Sequence, residues 1–239
     1  MDARTPGPPG PSITRVMVVL TAVTGLVEAV SLLALGPVFT AMQTGNLLFL
    51  SFGVAGAGRV GAFPVLAPAL SLVAFAAGVV AGARLEATAE ARGRRWFVLA
   101  LFAEAGLLAC AAGAGWGLAP RYGSPTHRHL AVTALLAFTM GLRNVTSMRV
   151  GVVGVPTTLS TRTLTGLLGG VLGHDGSFAR GGATWQRRAA AVVAMFAGGA
   201  AGALLVRAGW PVAQLLAPAA LLVLALALFE RTRPRLRPA

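Results

Sequence analysis

The chain has 239 residues, of which 56% are hydrophobic and 11% charged, and its mean hydropathy is +0.75. A soluble domain carries about 25% charged residues, so this composition predicts a membrane protein and argues against a soluble one. The net charge of +13 comes from arginine, since the sequence contains no lysine, and the arginines cluster at the ends of apolar runs and in the tail. Arginines in these places are typical of the cytoplasmic loops of membrane proteins, so the charge argues against nucleic-acid binding.

Taken in order, the chain begins with a proline- and glycine-rich lead, residues 1–14, and then alternates apolar runs with polar turns. Six runs are long enough to cross a bilayer as helices of about 20 residues: 16–35, 65–85, 96–117, 130–150, 189–206 and 210–229. Two further runs, 39–57 and 156–173, contain polar residues and glycine, and each predicts a broken or re-entrant helix. Loop 119–129 separates membrane repeat 15–118 from membrane repeat 130–229, and residues 230–239 form a basic cytoplasmic tail.

Matching segments recur in the same order in the two halves, which predicts an internal repeat. The longest match joins GLVEAVS at residues 25–31 to GLRNVTS at residues 141–147. The other matches are Pro37 with Pro156, Thr44-Gly45 with Thr165-Gly166, Gly78-xxx-Gly82 with Gly198-xxx-Gly202, and Trp96 with Trp210. The predicted fold class is an all-α, polytopic membrane helical bundle of six spans plus two broken or re-entrant helices.

The number of crossings decides how the two repeats are related. Three spans in each repeat give inverted halves, and four give parallel halves. Six crossings with the N-terminus inside place more arginines on the cytoplasmic side than eight crossings do, so we favour the inverted arrangement. Both termini then lie in the cytoplasm. Eight crossings with parallel repeats are the alternative.

Four short motifs carry a family resemblance. They are Gly25-Leu26-Val27-Glu28-Ala29, Phe39-x3-Gln43-Thr44-Gly45-Asn46-Leu47, Gly141-Leu142-Arg143-Asn144 and Thr161-x3-Thr165-Gly166-x-Leu168. Together they resemble the YoaK-like family of bacterial membrane proteins, a domain of unknown function, over about residues 14–229. That family usually has Asp where Glu28 stands and Gln where Arg143 stands. The resemblance implies the membrane fold and a location in the plasma (inner) membrane of a bacterial cell, and it says little about function.

Glu28 is the first candidate site residue, because it lies about twelve residues into the first span, where a carboxyl group is costly unless paired or protonated. Arg143 and Asn144 lie at the equivalent place in the second repeat. The functional interpretation is a proton- or substrate-binding carboxyl with an arginine partner. The alternative is an ion pair that only joins two helices. Glu104, also inside a span, is either a second titratable site or the partner of an arginine.

The two short helices open with polar and glycine residues that are further candidates for binding a substrate or an ion: Gln43, Thr44, Gly45, Asn46, Thr165 and Gly166. The ends of half-length helices present unpaired backbone groups and a partial charge, which suits an ion or a solute. The alternative is that these residues only cap the helices. We expect four residues to converge in one cavity near the bilayer midplane: Glu28, Thr44, Asn46 and Arg143.

Catalytic motifs, nucleotide fingerprints and phosphate loops do not occur in the sequence, so neither an enzyme nor a cofactor is expected. His127 and His129 have no further metal-ligating residues beside them, so no metal site is expected either. The first hypothesis is a small secondary transporter or permease for an unknown solute or ion, embedded in the lipid bilayer as a homodimer. The alternative is a non-transporting membrane scaffold or partner subunit.

Overall fold

The computed structural model of the protein describes residues 11–56, 65–118, 120, 125–152, 154, 155, 157, 161–172 and 182–234. The described residues form eight α-helices and one short π-helix, and they contain no strand. In chain order these are α1 (Pro11–Val30), the π-helix (Ser31–Leu35), α2 (Gln43–Val54), α3 (Leu66–Ala91), α4 (Trp96–Ala114), α5 (His127–Val150), α6 (Thr161–Leu172), α7 (Gly182–Arg207) and α8 (Val212–Arg231). The predicted all-α membrane fold is confirmed.

Six of these helices are long and apolar enough to cross a membrane, namely α1 with the π-helix, α3, α4, α5, α7 and α8. Helices α2 and α6 have 12 residues each. At about 1.5 Å per residue each reaches about 18 Å, which is short of the roughly 30 Å of a bilayer core. The sequence therefore predicted the six spans and the two short helices correctly.

The direction of each helix follows from its contacts. Helices α3 and α5 run parallel, because Gly78 packs on Phe138 and Gly82 packs on Leu142 one turn further along. Helices α1 and α7 also run parallel, since Gly198 packs on Ala22 and Gly202 on Leu26. By contrast, α4 is antiparallel to both α8 and α5. Its start contacts the ends of those helices and its end contacts their starts.

These directions define two sides of the bundle. On the first side α3, α5 and α8 end and α4 begins. Because a short turn joins α7 to α8, and because α1 is parallel to α7, both α1 and α7 begin on that side too. Both ends of the described chain therefore lie on the first side, and the chain crosses six times. Helix α2 connects two ends on the second side, and α6 connects two ends on the first side, so neither crosses.

The close helix contacts recur at the offsets that the repeats predict. A Cβ atom added at Gly78 would overlap the Phe138 carbonyl, and one added at Gly198 would overlap the Ala22 carbonyl. Gly198 follows Gly78 by 120 residues, and Phe138 follows Ala22 by 116. Equivalent helices α1 and α5 run in opposite directions, as inverted repeats require. The duplication itself stays a prediction, and these matched contacts support it.

One boundary differs from the prediction in a way that matters below. The third apolar run was expected to end at residue 85, with a cytoplasmic loop from residue 86 to 95. Instead α3 continues to Ala91, because the segment LEATAEA contains mostly good helix formers. Residue 86 then falls one turn beyond Gly82 on the face that packs against α5, and Glu86 is fully buried there.

Candidate functional site

Glu28 lies just before the place where the first span leaves regular α-helix. The π-helix Ser31–Leu35 follows it, and the chain then turns at Gly36, whose φ of 134° is accessible mainly to glycine. Short π-helical segments inside α-helices are frequent at functional sites. The Glu28 side chain is only 5% exposed. The broken end of α1 therefore holds a buried carboxyl group beside a sharp turn.

One oxygen of the Glu28 carboxyl group holds the loop that leads into α2. Oε1 accepts hydrogen bonds from the backbone N–H of Thr40 at 2.9 Å, from the Thr40 hydroxyl at 2.8 Å and from the N–H of Ala41 at 2.5 Å. Oε2 is buried and has no hydrogen-bond partner among the described residues. An unsatisfied carboxyl oxygen at this depth is costly, so a proton or a small ligand at Oε2 would stabilise the site.

Asn46 closes the same loop from the other end. Its Oδ1 accepts the Phe39 N–H at 2.9 Å, and its Nδ2 donates to the Phe39 carbonyl at 2.6 Å and to Gln43 Oε1 at 2.7 Å. The Gln43 side chain in turn donates to the Thr40 carbonyl at 2.8 Å and to Ser71 on α3 at 3.2 Å. Both amides are thus occupied in fixing residues 39–43 against α3. This geometry favours a structural role for Asn46 and Gln43.

Gly45 and Thr44 have different surroundings. A Cβ atom added at Gly45 would lie 2.7 Å from the Phe39 ring, which stacks on Phe49 with ring centroids 5.8 Å apart. Glycine is needed here because the ring lies against the first turn of α2. Thr44 is exposed. Of the four residues that open α2, Thr44 alone is placed for contact with something outside the bundle.

Arg143 does not pair with Glu28, and that part of the predicted convergence is wrong. Arg143 is buried, and its Nε donates to Glu104 Oε1 at 3.0 Å, with a second contact from NH2 to the same oxygen. Its NH1 donates to the Leu20 carbonyl at 2.9 Å and to the Thr24 hydroxyl at 2.7 Å. This ion pair joins α1, α4 and α5 in the interior of the bundle.

The opposite directions of α1 and α5 explain why the expected pair does not form. Glu28 lies seven residues before the end of the π-helix on the second side, and Arg143 lies seven residues before the end of α5 on the first side. Each is about 10 Å from its own end at about 1.5 Å per residue. In a span of 24 residues the two α-carbons are therefore roughly 15 Å apart along the bundle axis. Matching positions in two oppositely directed spans lie on opposite sides of the bilayer midplane. They are level with each other only when both lie at the midplane itself.

The remaining candidates lie on the second repeat. Asn144 is half-buried and has contacts of its own. Thr165 is exposed on α6. Gly166 is buried, and its carbonyl accepts a hydrogen bond from Arg188 NH1 at 2.9 Å. Gly166 thus accommodates an arginine of α7, whereas its counterpart in the first repeat accommodates an aromatic ring.

Comparison with known families gives one result. The family described as "Protein of unknown function (DUF1275)" matches residues 16–229. The chain belongs to this family. The predicted resemblance to a family of unknown function is confirmed at that level. No curated protein and no solved structure matches the chain.

The DUF1275 match includes all of the candidate residues and at least most of each span, so the geometry around Glu28 lies inside the family domain. A separate apolar groove of about 530 Å³ lies between α4 and α8. The groove is lined mainly by alanine and glycine together with Phe102 and Trp116, and none of the candidate site residues lines it. Nothing in the groove identifies a partner, so the homodimer stays a prediction.

Two buried carboxyl groups of this DUF1275 protein are not among the predicted site residues. Glu86 was assigned to a loop and Glu230 to the basic tail, but both are buried at the first-side ends of α3 and α8. The signal that could have identified Glu86 is its spacing, because Gly78, Gly82 and Glu86 follow one another at four-residue intervals. Of the five carboxyl side chains in the described part of the chain, only Glu90 is exposed.

Proposed function

We propose that this DUF1275 protein is a small secondary transporter or permease, in which Glu28 binds the coupled proton or part of the solute. The observation that carries the proposal is the buried Glu28 carboxyl group with Oε2 unpartnered, at the point where a span breaks into a π-helix and a half-length helix. Broken helices in inverted repeats are the usual location of substrate and ion sites in secondary transporters.

The geometry suggests how binding at Glu28 acts on the fold. An ionised carboxyl group accepts hydrogen bonds about twice as strongly as a neutral one, so the ionised form holds Thr40 and Ala41 more tightly. A proton or a cationic group at Oε2 weakens that hold. Since residues 39–43 are tied to α2 and α3 through Asn46 and Ser71, the charge on Glu28 is linked to the position of the second-side half-helix.

The proposed orientation has the first side in the cytoplasm. Exposed arginines on that side include Arg84, Arg92 and Arg94 at the end of α3, whereas Arg128 and Arg207 lie on the second side. An excess of arginine in short loops marks the cytoplasmic face. Glu28 and α2 would then face the outside of a bacterial plasma membrane, with both termini inside.

A membrane scaffold is the second candidate, and a specific observation favours it. The side chains of Asn46, Gln43 and Arg143 use their hydrogen-bonding groups within the bundle, as expected of polar residues that only hold helices together. In that case Glu28 is a structural clamp on the loop.

Electrophysiology of purified protein in liposomes on a solid-supported membrane separates the two candidates. Sugars, amino acids, organic acids and inorganic ions are applied with and without a pH gradient. For a transporter we expect at least one solute class to give currents that Glu28→Gln abolishes and that Glu90→Gln, which changes the exposed carboxyl group, retains. Folded wild-type protein that gives no current with any class, with Glu28→Gln lowering only stability, supports the scaffold.

A further inference from the structure

Glu86 lies at the first-side end of the α3–α5 contact, far along the axis from Glu28. Its side chain is 0% exposed, and Oε1 accepts a hydrogen bond from the Thr146 hydroxyl at 2.5 Å. Oε2 is buried without a hydrogen bond to any described residue, and Arg149 NH1 lies 3.7 Å from it. That distance is too long for a hydrogen bond, so Arg149 satisfies the charge of Glu86 only in part.

Arg149 divides its interactions among three neighbours. Its NH2 pairs with Glu90 Oε2, and its guanidinium lies 4.8 Å from the centroid of the Trp96 ring. The cluster on α3 and α5 therefore contains two carboxyl groups and one guanidinium. If both carboxyl groups are ionised, one negative charge is left without a partner, and the fully buried Glu86 is where that charge costs most.

The helices packed around the cluster do not supply the missing cation. On α4, Arg95 uses its guanidinium on the backbone carbonyls of Glu230 and Arg231 at the end of α8. On α8, Glu230 is another buried carboxyl, and its Oε1 has no partner among the described residues. The Trp96 indole N–H is likewise buried and unpartnered. Arg233 and Arg95 act on Glu230, and among the described residues Arg149 is the one cation with a nitrogen within 4 Å of the Glu86 carboxyl group.

We propose that Glu86 is a second proton-binding site of this protein, on the opposite side of the bundle from Glu28, and that its proton sets the grip of Arg149. When Glu86 is ionised, Arg149 is drawn to both Glu86 and Glu90, and it ties the end of α3 to the end of α5. When Glu86 carries the proton, Arg149 is held by Glu90 alone and moves relative to the Trp96 ring. This site does not depend on transport through Glu28.

Trp96 gives a direct readout of the site, because Arg149 lies on its ring. The other three tryptophans, Trp116, Trp185 and Trp210, are exposed, so replacing each with Phe leaves a single-tryptophan protein at little cost. We expect Trp96 fluorescence in detergent micelles to change in one step with pH. The step should be lost in Glu86→Gln and kept in Glu230→Gln. Glu90→Gln should also keep the step but move its midpoint towards lower pH, because Arg149 is then left to Glu86. A step that persists in Glu86→Gln, or that Glu90→Gln or Glu230→Gln removes, overturns the proposal.

A second variant protects the test against misfolding of Glu86→Gln. Thr146→Val removes the hydroxyl that donates to Oε1, and this hydrogen bond favours the ionised carboxyl group. We expect the midpoint of the Trp96 step to move by about one unit towards higher pH. A midpoint that does not move overturns the proposal. A midpoint that shifts when choline replaces sodium at constant ionic strength also overturns it, because the site would then bind sodium. Glu28→Gln should leave the step intact, so failure of the proposed transport function is seen separately.

Discussion

The two parallel helix pairs of the bundle, α1 with α7 and α3 with α5, share their packing and differ in their charges. Both pairs are held in close contact by glycines at matching positions, such as Gly198 on Ala22 and Gly78 on Phe138. At the end of the α3–α5 pair the polar cluster follows, with Glu86, Glu90, Thr146 and Arg149. At the positions that match Glu86, Thr146 and Arg149, the α1–α7 pair has the apolar residues Val206, Val30 and Leu33.

The α1–α7 pair has its own buried carboxyl group, at a different position. Glu28 holds the loop before α2 on the second side, and the matching residue of α5 is Asn144. Among the described residues, the second side therefore has one buried glutamate with an unpartnered oxygen, Glu28, and the first side has two, Glu86 and Glu230. Their local structures are unrelated. The glycine contacts that pack the helices are therefore shared by the two pairs. The positions of the ionisable groups are not shared, and they differ between the two sides of the bundle. A protein that treats its two sides differently requires such a difference.

The largest expected effect comes from a polar pair that has no counterpart in the other half. Val27 and Pro218 stand at the positions that match Arg143 and Glu104. Arg143→Gln leaves the buried Glu104 unpaired, and we expect the free energy of unfolding to fall by about 3–5 kcal/mol. SDS titration in mixed micelles measures this.

A double variant is the control for that experiment. Arg143→Gln combined with Glu104→Gln removes both charges, so it should recover much of the lost stability. If the double variant is as unstable as Arg143→Gln alone, the ion pair is not what stabilises this site. The same measurement on Glu28→Gln with Arg143→Gln should show additive effects, because these two residues do not contact each other.

The glycine contacts give the next largest effect, and they test what the two pairs share. Gly78→Ala and Gly198→Ala each place a Cβ atom against a backbone carbonyl, which cannot yield as a flexible side chain does. We expect each variant to lose about 3 kcal/mol, with the two losses similar. Gly106→Ala is the matched control, because nothing lies within 4 Å of an added Cβ there. Clearly unequal losses at Gly78 and Gly198 would break the comparison.

The sequence predicted the parts of the fold that depend on hydropathy and length. Six long apolar runs and two short interrupted ones became six spans and two half-length helices. The partner of Arg143 could not be predicted, because Glu28 and Glu104 both lie inside spans. Which of them is level with Arg143 depends on how the helices are shifted along the bundle axis relative to one another. Glu86 was missed because a polar segment after an apolar run resembles a loop, although helix propensity continues through it.

The role of Asn46 also required the structure. A polar residue at the opening of a short helix suits a solute, a cap or a clamp equally well by sequence. The clamp depends on where Phe39 lies relative to Asn46, seven residues apart, and that follows from the turn at Gly36. Side-chain bonds to the backbone of an irregular loop depend on tertiary geometry, so no periodicity in the sequence reports them.

A smaller effect is expected at Asn46, whose clamp is found only in the first repeat. Leu167 stands at the matching position of α6. Asn46→Ala removes the acceptor of the Phe39 N–H and leaves that half-buried group without its partner, so we expect a loss of about 2 kcal/mol. Thr44→Ala, at the exposed neighbour in the same turn, should be neutral in the same SDS titration. A neutral Asn46→Ala would mean that Glu28, Gln43 and Ser71 hold the loop without Asn46.

The smallest expected effect concerns a serine that both repeats contain. Ser31 donates its hydroxyl to the Val38 carbonyl at 2.8 Å, and Ser147 accepts the Thr157 N–H at 3.2 Å. Each bond closes the chain just after a long span, with matching partners in the two halves but opposite donor and acceptor roles. Because one neutral hydrogen bond contributes about 1 kcal/mol, Ser31→Ala and Ser147→Ala should each cost about that much. Ser51→Ala is the matched control, because that hydroxyl is exposed and bonds only within α2.

The sharper distinction is Ser→Cys, since a thiol is a weak donor and a weak acceptor. If the donor role matters more than the acceptor role, Ser31→Cys loses more stability than Ser147→Cys, and equal losses would show that the two turns are energetically as well as geometrically equivalent.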